Sequence, residues 1–80
     1  MDKTIKRAEE LTKEGYKIEL EFKKEIVCIS VYNELYGISV YLGSRLKPTP
    51  EQAWTHFESD ISDGNIVELI DFCVNKLNSK

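Results

Sequence analysis

His56 is the only imidazole in the chain, so any Ser or Cys nucleophile would depend on it as a base, with a carboxylate to orient it. On a helix it sits about 100° round from Phe57, at the boundary of a buried stripe. Its neighbours Thr55, Glu58 and Ser59 are ordinary surface residues. The expectation is a helix-surface histidine, and no catalytic residue is assigned. The two cysteines, Cys28 and Cys73, are too few for a disulfide framework. With a single histidine they cannot assemble a four-ligand zinc site of Cys and His. Glu19 and Glu21 share a strand face roughly 7 Å apart, but two-carboxylate chemistry needs a cleft. Charges guarding an edge strand are the better explanation. Gly15, Gly37, Gly43 and Gly64 are scattered, so no glycine-rich phosphate loop exists. The expectation is a protein that is not an enzyme, with no cofactor and no metal.

The elements that position these residues follow from periodicity. Eighty residues, 41% hydrophobic and 31% charged, make one folded domain over residues 1–80. Residues 2–14 read as a helix capped by Asp2, with Ile5, Ala8 and Leu11 on one face and Gly15 as the left-handed stop. Tyr16, Ile18, Leu20 and Phe22 then alternate with Lys17, Glu19, Glu21 and Lys23, the period-two pattern of a strand with one buried face. Two further runs, Ile26–Tyr32 and Gly37–Gly43, are rich in the Val, Ile and Tyr that favour strands.

A turn centred on Lys24-Glu25 pairs Phe22 with Val27, Leu20 with Ile29 and Ile18 with Val31, and all six fall on one face. Continuing, Val31 pairs with Ile38, Ile29 with Val40 and Val27 with Leu42. Lys-Glu is a poor two-residue turn, so a four-residue loop with the same pairing is an alternative. The opposite face then carries four rows: Lys17, Tyr32 and Gly37; Glu19, Ser30 and Ser39; Glu21, Cys28 and Tyr41; Lys23, Ile26 and Gly43. Tyr32 over Gly37 is an aromatic covering a strand glycine.

Thr49-Pro50-Glu51-Gln52 carries the signature of a helix start: an N-cap, a proline at the first position and a capping-box glutamine. Ala53, Trp54, Phe57 and Ile61 follow at helical spacing. After Asp63-Gly64-Asn65, the residues Ile66, Leu69, Ile70, Cys73, Val74 and Leu77 mark a second amphipathic helix. Residues 50–77 therefore read as two helices, or as one kinked at Gly64. The fold class is α+β: a three-stranded antiparallel meander of order 1-2-3, helices on one face, element order α-β-β-β-α-α.

Charge is unevenly spread. Residues 1–47 hold nine Lys/Arg against eight acids, whereas residues 48–75 hold six acids and no Lys or Arg. That half is ill suited to gripping a phosphate backbone. No run approaches the ~20 apolar residues of a membrane span, and the charged start lacks a signal-peptide stretch, so the expected compartment is the cytoplasm and no membrane partner is expected.

What remains is a small non-enzymatic module, of adaptor or inhibitor type, binding a protein of unknown identity; a short chain rich in Lys, Ile, Glu and Asn has the general look of a bacterial or phage accessory protein. Two surfaces are candidates. One is the mixed sheet face and third strand, with Tyr32, Tyr41, Cys28 and Ser39, since Tyr is enriched at interfaces. The other is the acidic helices, with Glu58, Asp60, Glu68 and Asp71. An edge-lying third strand would also offer strand addition to a second copy, giving a homodimer. Base stacking on Tyr32 and Tyr41 is the alternative, disfavoured by Glu19 and Glu21 on the same face.

Overall fold

In the computed structural model, described here for residues 1–79, helix α1 (Asp2–Lys13) leads into strands β1 (Lys17–Lys23), β2 (Ile26–Tyr32) and β3 (Gly37–Gly43). A single 3₁₀ turn (Pro50–Gln52), a short strand β4 (His56–Glu58) and helix α2 (Asp63–Asn78) complete the chain. The class is α+β, and the first three strands form the antiparallel meander expected. The sheet itself is mixed and four-stranded, ordered β1-β2-β3-β4, because β4 pairs parallel to β3. Both helices pack on one face, α2 across β2 and β3, α1 beside it against β1.

The register is the one the sequence dictates. Phe22, Leu20 and Ile18 oppose Val27, Ile29 and Val31, and these in turn oppose Leu42, Val40 and Ile38. The Lys24-Glu25 turn is a two-residue one, between the paired Lys23 and Ile26. It closes because Glu25 takes a left-handed backbone, φ 66°, a conformation uncommon outside glycine. Burial of the inner face compensates for that local cost.

Five of the nine expected sheet residues (Val27, Ile29, Val31, Val40 and Leu42) are fully buried, with Leu11, Ile66, Leu69, Ile70, Cys73 and Leu77 from the helices. Ile18, Leu20, Ile38 and Val74 pack against them half-buried. Phe22 does not join the core: it is 57% exposed, since β1 is an edge strand that the helices cover incompletely. Helix α1 is also turned relative to expectation. Ile5 faces solvent, while Thr4 and Leu11 are buried.

The reason lies at the start of α1. Asp2 does not cap it. The carboxylate of Asp63, from the first turn of α2, accepts the Lys3 amide (2.9 Å), the Thr4 amide (2.9 Å) and the Thr4 hydroxyl (2.6 Å). One side chain thus satisfies orphan amides of another helix and fixes Thr4 inward. The Thr4 hydroxyl bond, with both amides assisting, lowers the Asp63 pKa to about 2. Arg7 ties the same two helices farther along, its Nε 2.8 Å from Asp71. At the other end, Gly15 is the left-handed stop expected, φ 101°. Its amide bonds to Thr12 and the Tyr16 amide to Leu11, the paired bonds of a Schellman ending.

The segment read as the first of two C-terminal helices forms no α-helix. Thr49 does start a turn, its amide donating to the Gln52 side chain at 3.2 Å, but it stops after Pro50–Gln52. Trp54, Thr55, His56 and Phe57 are aromatic or β-branched and poor at propagating a short helix. Extending them lets β4 satisfy backbone groups of β3: the Tyr41 amide bonds to Thr55 at 2.8 Å and the Ser59 amide to Gly43 at 3.1 Å. Phe57 then extends the inner row opposite Leu42 and meets Phe72 of α2 edge-on, centroids 5.4 Å apart. Trp54 and Ile61, expected in the core, are 58% and 40% exposed. Gly64 neither kinks nor separates helices; α2 begins at Asp63, with the Ser62 hydroxyl accepting the Asn65 amide.

Candidate functional site

The face of the sheet away from the helices carries the expected rows, with β4 adding a fourth column. Glu21, Cys28, Tyr41 and His56 now stand abreast, and beyond them Lys23 pairs with Ile26 and Gly43 with Glu58. Three of the four expected sheet-face residues, Cys28, Ser39 and Tyr41, cluster at the centre, all half-buried. They cover Ser30, which is only 8% exposed although no helix lies over it. Ser30 and Ser39 share a hydrogen bond of 2.7 Å, so the hydroxyls satisfy each other across the strands. Tyr32 lies at the side. Its ring covers Gly37 so closely that a Cβ there would overlap it, and Lys17 sits over the ring, 5.9 Å from its centroid.

His56 is where sequence reasoning failed. It lies on the sheet face, not on a helix surface, and stacks on Tyr41 with centroids 4.7 Å apart and planes 27° from parallel. Its Nδ1 is 2.8 Å from the Thr55 hydroxyl, which fixes the ring. The only sequence signal was one apolar residue, Phe57, between two polar ones. Three residues are too few to register as alternation. The stack and the serine pair make this patch low in charge, with Glu19, Glu21 and Lys17 along one margin and the Lys47–Glu58 ion pair at the other end.

The four acidic residues do not form one surface. Glu58 belongs to β4 and pairs with Lys47. Asp60 is exposed in the loop before α2, its carbonyl accepting from Asn65 Nδ2 at 2.8 Å. Glu68 lies on α2, where with Glu58, His56, Ser59 and Asn65 it rims a void of about 260 Å³ beside β4, floored by Leu42, Phe57 and Leu69. Asp71, one turn beyond Glu68 on α2, is engaged by Arg7, which ties it to the α1 side. The third strand is not the open edge expected either. β4 occupies it along residues 41–43, which blocks strand addition over that stretch.

Both cysteines are free thiols, on different layers. Burial in the core pushes the Cys73 thiol up to about 12, so it is chemically quiet. Among the described residues no group of His, Cys, Asp and Glu is placed to hold a metal ion, and no helix is long and apolar enough to cross a membrane. Searches against protein-family models, curated proteins and solved structures match nothing.

Proposed function

We propose that this chain is a small non-enzymatic protein-binding module that works through the uncovered sheet face. One observation carries this: Tyr41 stacked on His56 beside half-buried Cys28 and the Ser30–Ser39 pair. This centre is low in charge and bounded by charged residues, the pattern of a charge-depleted interface core with a polar rim. The Tyr41 ring, already held by its neighbour, loses little rotamer freedom on contact with a partner, which favours it as an anchor. Nucleic acid is the less favoured occupant. Tyr32 is committed to Gly37 and Tyr41 to His56, so neither ring face is open on both sides for a base, and Glu19 and Glu21 would repel phosphates.

The test is recovery of a partner on tagged wild-type chain from the cells that make it, compared with Tyr41→Ala and Glu68→Lys. Loss with Tyr41→Ala, and at most a weakened recovery with Glu68→Lys, is the expected outcome. The reverse would move the function off the sheet face. A salt-steep interaction with mixed oligonucleotides, abolished by Tyr41→Ala, would favour the nucleic-acid alternative.

A further inference from the structure

The sheet has two edges, and they are not alike. Along β1 the residues Lys17, Glu19, Glu21 and Lys23 place a charge at every second position, the usual protection against pairing. The other edge is β4. In its parallel ladder the Thr55 carbonyl accepts from the Tyr41 amide and the Ser59 amide donates to the Gly43 carbonyl, which sets the amide and carbonyl of Phe57, between them, toward β3. The amides and carbonyls of His56 and Glu58 consequently point outward, away from the sheet. Neither helix seals that side. The void of about 260 Å³ runs beside these two residues, between β4 and the first turns of α2, with Leu42, Phe57 and Leu69 at its base and Glu68 and Asn65 on its far rim.

We infer that the β4 edge takes up an extended segment of a partner protein by strand addition, with apolar side chains entering the void and basic side chains meeting Glu58 and Glu68. This rests on the protein-binding function proposed above and adds a second contact to it. Two physical features select the occupant. The void is below the ~300–1,000 Å³ of ordinary small-molecule pockets, so it suits a side chain or two of a strand better than a whole ligand. At the void itself stand two carboxylates, the exposed Glu68 and Glu58, with Lys47 as the cation beside Glu58, so the local charge is negative and complementarity calls for lysine or arginine on the segment. Backbone bonding to His56 and Glu58 supplies register, and alternation of the added strand sends successive side chains to opposite faces.

The probe is an acetylated, amidated peptide of alternating valine and lysine, titrated into the ¹⁵N-labelled full chain. Shift changes are expected to centre on His56, Glu58, Asn65 and Glu68, with slowed amide exchange at His56 and Glu58. Glu68→Lys is expected to weaken binding by about tenfold, and a peptide N-methylated at alternate residues to bind no better than one of alternating valine and glutamate. Glu68 is exposed, so its variant keeps the fold, which an unchanged spectrum elsewhere verifies. The inference is overturned if shifts centre on β1 or on Cys28 and Tyr41, if N-methylation leaves affinity unchanged, or if no peptide at millimolar concentration moves β4. Each of these outcomes leaves the Tyr41→Ala experiment standing, so failure here is separable from failure of the sheet-face function.

Discussion

The two faces of this sheet use the same backbone and reach cover by different means. On the inner face, Val27, Ile29, Val31, Val40 and Leu42 are closed off by Leu11 and α2. On the outer face nothing is laid over the strands, yet Ser30 is buried all the same. Its cover is local: cross-strand neighbours, a serine pair and two placed aromatic rings. An inner position is therefore dear to the whole fold, whereas an outer one is dear chiefly to its neighbours. That separates the residues that hold the domain from those available to a partner.

The sharpest way to break this contrast is at the centre of β2. Ile29→Ala removes a fully buried side chain and should cost ~2–5 kcal/mol. A domain of 80 residues has roughly 4–12 kcal/mol in total, so chemical denaturation should show a large fall in midpoint; a wild-type midpoint would contradict the inner-face assignment. Gly37→Val tests the outer face. The new side chain overlaps the Tyr32 ring and should cost about 1–3 kcal/mol. The cost should shrink markedly in a Tyr32→Ala background, the signature of a neighbour-limited effect. An additive double variant would show that the ring and the glycine are not coupled.

Asp63 joins the covering helices rather than either face. Its carboxylate titrates at about 2 in the fold, against 3.8 ordinarily. A lowered folded value means stabilisation that is full above about pH 4 and lost as pH falls toward 2. Asp63→Asn should flatten that part of the stability–pH curve, and a variant with an unchanged acid limb would remove the helix-bridging role. Smallest of all should be Tyr41→Ala. An aromatic pair at a half-exposed site contributes about 0.5–1.5 kcal/mol, so melting should shift little while partner recovery is lost. A large loss of stability instead would make Tyr41 a structural residue and blur the distinction between the faces.

The meander was legible because its information is local and redundant. Alternation in β1 fixes one face, and a single uniform register satisfies both hairpins, so Tyr32 over Gly37 and the Cys28–Tyr41 pairing could be written down in advance. Helix α2 was legible from its apolar stripe and α1 from its Gly15 stop. Residues 50–61 were not, because two tendencies compete there. Thr49, Pro50 and Gln52 encode a helix start, and only the unfilled edge of β3 and the space beside Phe72 make the extended form of His56-Phe57-Glu58 the better one. Those groups lie far away in sequence. The same holds for the candidate site: register places Tyr41 beside Cys28, whereas His56 joins them only because its strand exists through contact with β3, and the Arg7–Asp71 bond spans 64 residues that no local pattern links.

By itself, then, the amino-acid sequence determined the strands, their pairing and the greasy side of the sheet, since period-two alternation and turn spacing act between near neighbours. Tertiary structure alone decided the fourth strand, the capping of α1 by Asp63 and which side chains gather at the β4 end. Those choices compare the free energies of distant groups, and local propensity can encode neither partner without the other.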